Sequence, residues 1–505
     1  MMEWFEGLQS LLHFNPMMFL ALGMIIGLVF GAVPGLGGAT ALALLMPLTY
    51  GMDTISAMAL AGGCMGAVPM GGAIPAILIN SPGTAPNSAT CLDGYPLAQQ
   101  GKAGLAIGAA ASANAVGGLI GALSLVLILP LSERLVMSFG PPEFFLLSVL
   151  GLVMVAMASR GKMLRGLVAG GVGLMIAFIG FDDVTGAVRY TFGSQFLWDG
   201  IHLVPILIGL FAGAEMIKLW QTGGSIAAPN ANPKIDGIFD GLLETFRHWP
   251  TVLRGSAIGT VVGAIPGVGG TVGSLLSYSV TVQASKDPES FGKGNIQGVI
   301  APEACINAQD CSSLIPTIAF GIPSGAEMAV FLGILVLHGM QPGPLMLIEN
   351  KTEIYGLVWS LTLSCFAAGA VGILFLRVLS RITTVPGRRL APLIMVLALV
   401  GSWAIDQAIG NVIVTTVFAF IGYLMARLDY PRLPLVIAVV LGKGLERNLH
   451  QSLAMSDGSS MIFAERPISM VLLICIALGL LWTPTRSLFG RIGSRGKLGS
   501  EGRAA

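Results

Sequence analysis

The chain has 505 residues, 54% of them hydrophobic and 10% charged, with a net charge near +1. Soluble domains carry roughly a quarter charged residues, so these charges are too few to cover a water-facing surface. A near-neutral balance also excludes the basic footprint of a nucleic-acid binder.

In chain order, the start Met-Met-Glu-Trp-Phe-Glu lacks the basic region of a signal peptide, so the first apolar run, 17–33, is expected to be a retained span. Further runs long enough to cross ~30 Å of hydrocarbon follow. They cover 103–130, 143–158, 163–181, 201–219, 355–376, 411–426 and 468–483. Longer apolar stretches at 54–79, 251–282 and 296–337 are interrupted by Gly and Pro. The pattern predicts an all-α polytopic membrane protein of roughly 12 segments, with broken or re-entrant helices. The 69 glycines then serve close helix approach, as in Gly117-Gly118-Leu119-Ile120-Gly121. The six cysteines have no disulfide or zinc spacing and read as small buried side chains.

One phrase occurs twice. Residues 31–38 read Gly-Ala-Val-Pro-Gly-Leu-Gly-Gly and residues 263–270 read Gly-Ala-Ile-Pro-Gly-Val-Gly-Gly. Ile74-Pro75-Ala76-Ile77 followed by Pro82 is likewise echoed by Ile315-Pro316-Thr317-Ile318 followed by Pro323. This divides the chain into a first membrane repeat (1–220), a cytoplasmic linker (221–250), a second repeat (251–483) and a basic cytoplasmic tail (484–505). Lys and Arg favour cytoplasmic loops. Arg160, Lys162 and Arg165 contrast with acidic 403–411 in the other half, and Asp182, Asp183 and Asp199 contrast with Arg427 and Arg432. The matching loops 131–142 and 377–389 carry one arginine and four. Opposite bias in equivalent loops predicts inverted topology, with the N-terminus outside and the C-terminus in the cytoplasm.

Paired broken helices in an inverted repeat point to a transporter's binding site. Three groups of residues are candidates. The glycine loops Pro34, Gly35, Gly37, Gly38 and Pro266, Gly267, Gly269, Gly270 can present free N–H groups to an anion at a helix start. The segment Ile74–Asp93 concentrates Asn80, Ser81, Thr84, Asn87, Ser88 and Thr90 among prolines, and its counterpart is Ile315–Met328. Irregular backbone of this kind must line a cavity or be buried in protein. Glu303, Asn307 and Asp310 fall three or four apart on one helical face, with Glu327 beyond the next break; ionisable groups at membrane depth suggest a cation site or proton relay. There is no Gly-Lys-Ser/Thr phosphate loop, His-Glu-x-x-His or Gly-x-Ser-x-Gly, so no ATP motor, zinc protease or serine hydrolase is expected.

These residues resemble the large membrane (permease) subunit of the tripartite tricarboxylate transporter family. The likeness runs to about residue 483. It rests on Pro34 to Gly38, Asn80-Ser81-Pro82-Gly83, Thr90 and Asp93-Gly94-Tyr95-Pro96-Leu97-Ala98 in the first half. In the second half it rests on Pro266 to Gly270, Glu303 with Asn307-Ala308, Gly321-Ile322-Pro323, and Gly339 with Pro342-Gly343-Pro344. The resemblance implies transport rather than enzymatic activity, in a bacterial-type cell inner membrane. It implies two partners, a periplasmic solute-binding protein and a small membrane subunit, and an organic anion substrate such as a tricarboxylate or other carboxylate. It implies symport driven by an ion gradient, with Na⁺ or H⁺ as the coupling ion and no further cofactor or metal. The substrate half-sites would be Asn80, Ser81, Gly83 and Thr84, and Pro323, Ser324 and Gly325. Glu303, Asn307, Asp310 and Glu327 would be the ion-coupling candidates. The alternative is an autonomous secondary carrier or exporter that needs no binding protein. The chain departs from the family at Ile306, where a second asparagine is usual, at Pro323-Ser324-Gly325 in place of Pro-Gly-Ser, and at Met70 before Gly71-Gly72.

Overall fold

Helices account for most of the computed structural model, which describes residues 2–136, 138–158, 163–182, 184–222, 236–382 and 387–480. Among them, eight helices are long and apolar enough to cross a membrane, and four shorter apolar helices join them: Gly37–Thr49, Met163–Ala177, Ala326–Leu337 and Pro467–Leu480. Arg160, Lys162, Asp183, residues 223–235 of the expected linker and the basic tail lie outside the described residues.

The chain forms two compact units, each drawing on both sequence halves. The first comprises Met1–Met137 and His202–Arg427, the second Ser138–Ile201 and Leu428–Ala505. In the first unit the helices that matter most are α1 (Phe14–Ala32), α2 (Gly37–Thr49), α3 (Thr54–Ile79), α4 (Cys91–Gln99) and α5 (Ala103–Val136). From the second half come α6 (Trp249–Gly263), α7 (Gly270–Ala284), α8 (Gln297–Ser312), α9 (Leu314–Phe320), α10 (Ala326–Leu337) and α11 (Lys351–Leu374).

The core runs along α3, which is buried over nearly its whole length. Asp53 starts it, accepting a hydrogen bond from the Ser56 N–H at 2.9 Å and so satisfying one of the free donors of the first turn. Glycines let α1 come close, with Gly23, Gly27 and Gly31 lying against the backbone of Leu60, Cys64 and Val68. Lipid tails offer no hydrophobic incentive for helix pairing, so such backbone proximity supplies the dispersion that holds the pair. Gly117 and Gly121 of α5 pack in the same way on Ala304 and Ala308 of α8.

The sequence predicts an interruption within 54–79, yet α3 is continuous and contains both Pro69 and Pro75. Proline removes the helical donor to the carbonyl four residues before it, here Met65 and Gly71, yet the helix runs on through both. The Asn87 amide also donates to the Pro69 oxygen at 3.2 Å. The Asn80 and Ser81 N–H groups both reach the Pro75 oxygen, so the chain breaks after residue 79.

In the second unit a short antiparallel hairpin pairs Gly180 with Arg189 and Phe181 with Val188. Arg189 makes a two-pronged bond to Glu446, Nη1 to Oε1 at 2.7 Å and Nη2 to Oε2 at 2.8 Å. Those bonds hold the guanidinium above its ordinary value against the cost of burial. The pair is partly exposed, so solvent screens it. A double-mutant cycle on Arg189→Ala and Glu446→Ala, read by thermal unfolding, is expected to give a coupling of about 1 kcal/mol. Zero coupling would mean that the pair only decorates the surface.

Candidate functional site

Both glycine phrases fold alike. In the first, Gly35 and Gly37 have φ of 90° and 64°; in the second, Gly267 and Gly269 have φ of 81° and 73°. Only glycine enters this left-handed region freely, so each phrase is a turn feeding a helix, α2 or α7, whose start has no side-chain cap. Downstream, α3 ends at Asn80 (φ 52°) and α9 at Gly321 (φ 68°), five residues after Pro75 and Pro316 respectively. The Ser81 and Ile322 N–H groups reach back to the Pro75 and Pro316 oxygens at 3.4 and 3.1 Å.

Each phrase then meets the other half's break. Gly38 lies directly against the Glu327 carboxylate, and a Cβ on Gly270 would lie 2.7 Å from Pro86 Cγ. Pro86 and Glu327 occupy equivalent positions, each eleven residues beyond its Ile-Pro proline. The Gly267 N–H donates to the Ser324 oxygen at 3.1 Å, and the Gly83 N–H to the Gly72 oxygen at 3.2 Å. Ser324, Pro323 and Gly83 are buried, Ser81 and Thr84 half-buried, and Asn80 exposed. Thr84 donates to the Asn87 side-chain oxygen. One side of this arrangement therefore carries a carboxylate where the other carries a proline.

The four ionisable and amide candidates separate into two places. Glu303 is fully buried on α8. Its Oε1 accepts from Asn87 Nδ2 at 3.0 Å and from the Thr90 hydroxyl, and its Oε2 accepts from Asn114 Nδ2 at 2.8 Å. Asn307 donates to the Asn114 carbonyl at 3.1 Å. Asp310 and Glu327 are half-buried. Glu327 Oε1 is buried with no hydrogen-bond partner. No basic side chain within ion-pair distance of Glu303, Asp310 or Glu327 occurs among the described residues.

Asn114 escaped the candidate set. It sits alone in an apolar run, and a lone amide at membrane depth was the available signal. Asn87 and Thr90 lie in the Pro-rich segment but gained their importance from Glu303, more than two hundred residues away. Asp93 is a second fully buried carboxylate. It accepts from the Gly294 and Asn295 N–H groups, each at 2.8 Å, and from the Tyr278 hydroxyl at 2.9 Å. Thus a second-half carboxylate braces the first half's loop, and a first-half carboxylate braces the second half's 292–297 segment. Among the described residues no three His, Cys, Asp or Glu side chains gather as a metal site.

The sequence profile of the Tripartite tricarboxylate transporter TctA family matches residues 17–437. A similar protein is an uncharacterized 52.8 kDa protein in the TAR-I ttuC' 3' region of Agrobacterium vitis. It is 32% identical over 463 residues, which cover 91% of this chain and 92% of that relative. An uncharacterized protein in the TAR-II ttuC' 3' region of the same organism is 32% identical over 227 residues, covering 44% of this chain and 94% of the relative. No solved structure matches.

Proposed function

The chain belongs to the tripartite tricarboxylate transporter TctA family, and we propose that it is the membrane permease subunit of a binding-protein-dependent, ion-gradient-driven importer of organic anions. The observation that carries this reading is the pair of matched helix breaks, each met by the other half's glycine turn, with the Glu327 carboxylate at one and Pro86 in the equivalent place at the other. Asn80, Ser81, Gly83 and Thr84 would face the substrate from one side, and Pro323, Ser324 and Gly325 from the other. Backbone N–H groups and neutral hydroxyls suit a carboxylate, while Asp310, Glu327 and Glu303 suit a cation, Na⁺ or H⁺. A di- or trianion entering against an inside-negative potential costs ~2.3 kcal/mol per charge per 100 mV. Neutral donors do nothing to offset that work, so cation symport must. The two inverted halves would then rock to expose the site to each side in turn. A periplasmic binding protein would deliver the anion, and a small membrane subunit would complete the complex in the inner membrane, with the tail of this chain cytoplasmic.

Uptake of labelled carboxylates into vesicles, with and without the candidate binding protein and under imposed Na⁺ or H⁺ gradients, tests this directly. Uptake that needs both the binding protein and one gradient supports the proposal; uptake without the binding protein makes the chain an autonomous carrier instead. A finer test is Gly38→Ala. The atoms nearest the added methyl are all at the far end of the Glu327 side chain, which can swing away, so stability should change by less than about 1 kcal/mol. Displacing Glu327 is expected to slow uptake about tenfold, equivalent to roughly 1.4 kcal/mol. Normal uptake by folded Gly38→Ala would remove Glu327 from the mechanism.

A further inference from the structure

We propose that the helix Ile238–Arg247 is an interfacial anchor, lying in the plane of the lipid headgroups with Phe239, Leu243 and Phe246 turned into the acyl boundary. Its side chains fall on three arcs of one helical wheel. Gly241 and Thr245 form the arc packed on α5. Gly241 lies against the Leu105 backbone oxygen, and Gly108 of α5 lies against the Ile238 oxygen. The Thr245 hydroxyl donates to the Ala109 oxygen at 3.1 Å and accepts from the Ser112 hydroxyl at 2.7 Å. Asp240, Glu244 and Arg247 form a charged arc, with Arg247 bonded to Glu244 at 2.6 Å. The third arc holds Phe239, Leu243 and Phe246, which are 82%, 53% and 62% exposed.

Three large apolar side chains on one arc make a contiguous patch, which water penalises. Their depth selects what covers them. The contacts with Leu105, Gly108, Ala109 and Ser112 fall near the start of α5, whose segment Ala103–Pro130 is long and apolar enough to span. At 1.5 Å per residue they lie within about 15 Å of the start of that span, toward the level where hydrocarbon gives way to headgroups. The helix itself is also about 15 Å long, half of the ~30 Å needed to cross. It is set off at both ends: Gly237 precedes it at φ 82°, and His248 leaves the helical path before α6 begins at Trp249. Trp249, exposed just beyond that bend, belongs to the residue types that favour the membrane–water boundary. A short helix with one apolar and one charged arc lies in the interface rather than across the bilayer. Ser112 stands two residues before Asn114, so the anchor would hold at a fixed depth the α5 segment that meets Glu303.

The test is spin-label accessibility in the full-length protein, reconstituted into vesicles of phosphatidylcholine and phosphatidylglycerol. Cys475 is the one exposed cysteine among the described residues, so Cys475→Ser provides the background. Single labels are introduced by Phe239→Cys, Leu243→Cys and Phe246→Cys on the apolar arc, and by Asp240→Cys, Glu244→Cys and Arg247→Cys on the charged arc. Collisions with dissolved oxygen, which concentrates in lipid, are compared with collisions with a water-soluble nickel chelate. Oxygen should dominate at the three apolar positions and the chelate at the three charged ones, so that the two profiles oscillate out of phase at the helical period. The apolar labels should report a depth of about 5–10 Å below the headgroup boundary. All six positions are outside the packed arc, so loss of one variant to misfolding leaves the others to decide. Equal access of the chelate to both arcs would overturn the proposal by placing the helix in water. Exclusion of both probes from the apolar arc in vesicles holding this chain alone would overturn it in favour of a second copy. Loss of oxygen access on adding the small membrane subunit would overturn it in favour of a protein partner.

Discussion

Gly83→Ala is expected to lower stability by about 3 kcal/mol and to abolish uptake. Gly83 is wedged between two helices: a Cβ there would lie against the Gly31 oxygen, 2.6 Å from Gly72 Cα and 3.1 Å from the Gly31 carbonyl carbon. These nearest atoms all belong to the backbone of α1 or α3, so no side-chain rotation relieves the contact. Overfilling a packed site typically costs about 1–3 kcal/mol, and the rigidity of this contact places the variant at the upper end. The damage also reaches function, because moving Gly83 breaks its hydrogen bond to the Gly72 oxygen and shifts the loop that carries Ser81, Thr84 and Asn87. Thermal unfolding in detergent and vesicle uptake measure the two effects. A Gly83→Ala protein with wild-type Tm and uptake would show that α1 and α3 can separate freely at this point.

Asp93→Ala should cost about 3 kcal/mol as well, for a chemical rather than a steric reason. It deprives two backbone N–H groups and the Tyr278 hydroxyl of a fully buried acceptor. Hydrogen bonds to a charged group are worth about 1.5–3 kcal/mol each, and water recovers part of that at the half-buried Gly294 and Asn295. Asp93→Asn should restore most of the loss. Its oxygen can take both N–H groups, since Oδ1 already accepts the two, while its nitrogen donates to a Tyr278 hydroxyl turned to accept. Tyr278→Phe should cost about 1 kcal/mol, the value of one such bond. If Asp93→Asn is as damaged as Asp93→Ala, the negative charge itself is the requirement and the bracing account is wrong. Chemical denaturation of the four proteins distinguishes the cases.

Some of this architecture is written in local sequence. The glycine phrases announce their turns because only glycine occupies φ near +60° to +90° without strain, and Gly35, Gly37, Gly267 and Gly269 do so in matching places. The Ile-Pro repeats similarly mark where two helices end. Pro75 misleads on its own. It suggests a break within 54–79, whereas the helix continues to Ile79. The spacing of Glu303, Asn307 and Asp310 gives a shared helix but not a shared environment. Glu303 and Asn307 are fully buried and bonded to Asn114, while Asp310 is half-buried.

What the sequence determines by itself is the solvent and the punctuation. Hydrophobic runs of bilayer length dictate membrane helices, since a helix satisfies its backbone groups within its own segment in hydrocarbon, and repeated Gly-Pro phrases dictate where the chain turns. Tertiary structure alone decides which polar groups meet. Asn114 is one amide in an apolar helix until α8 brings Glu303 to it, and Asp93 is one carboxylate until residues 278, 294 and 295 surround it. Hydrogen bonding falls off within a fraction of an ångström, and these partners lie about two hundred residues apart, so no local pattern records their meeting.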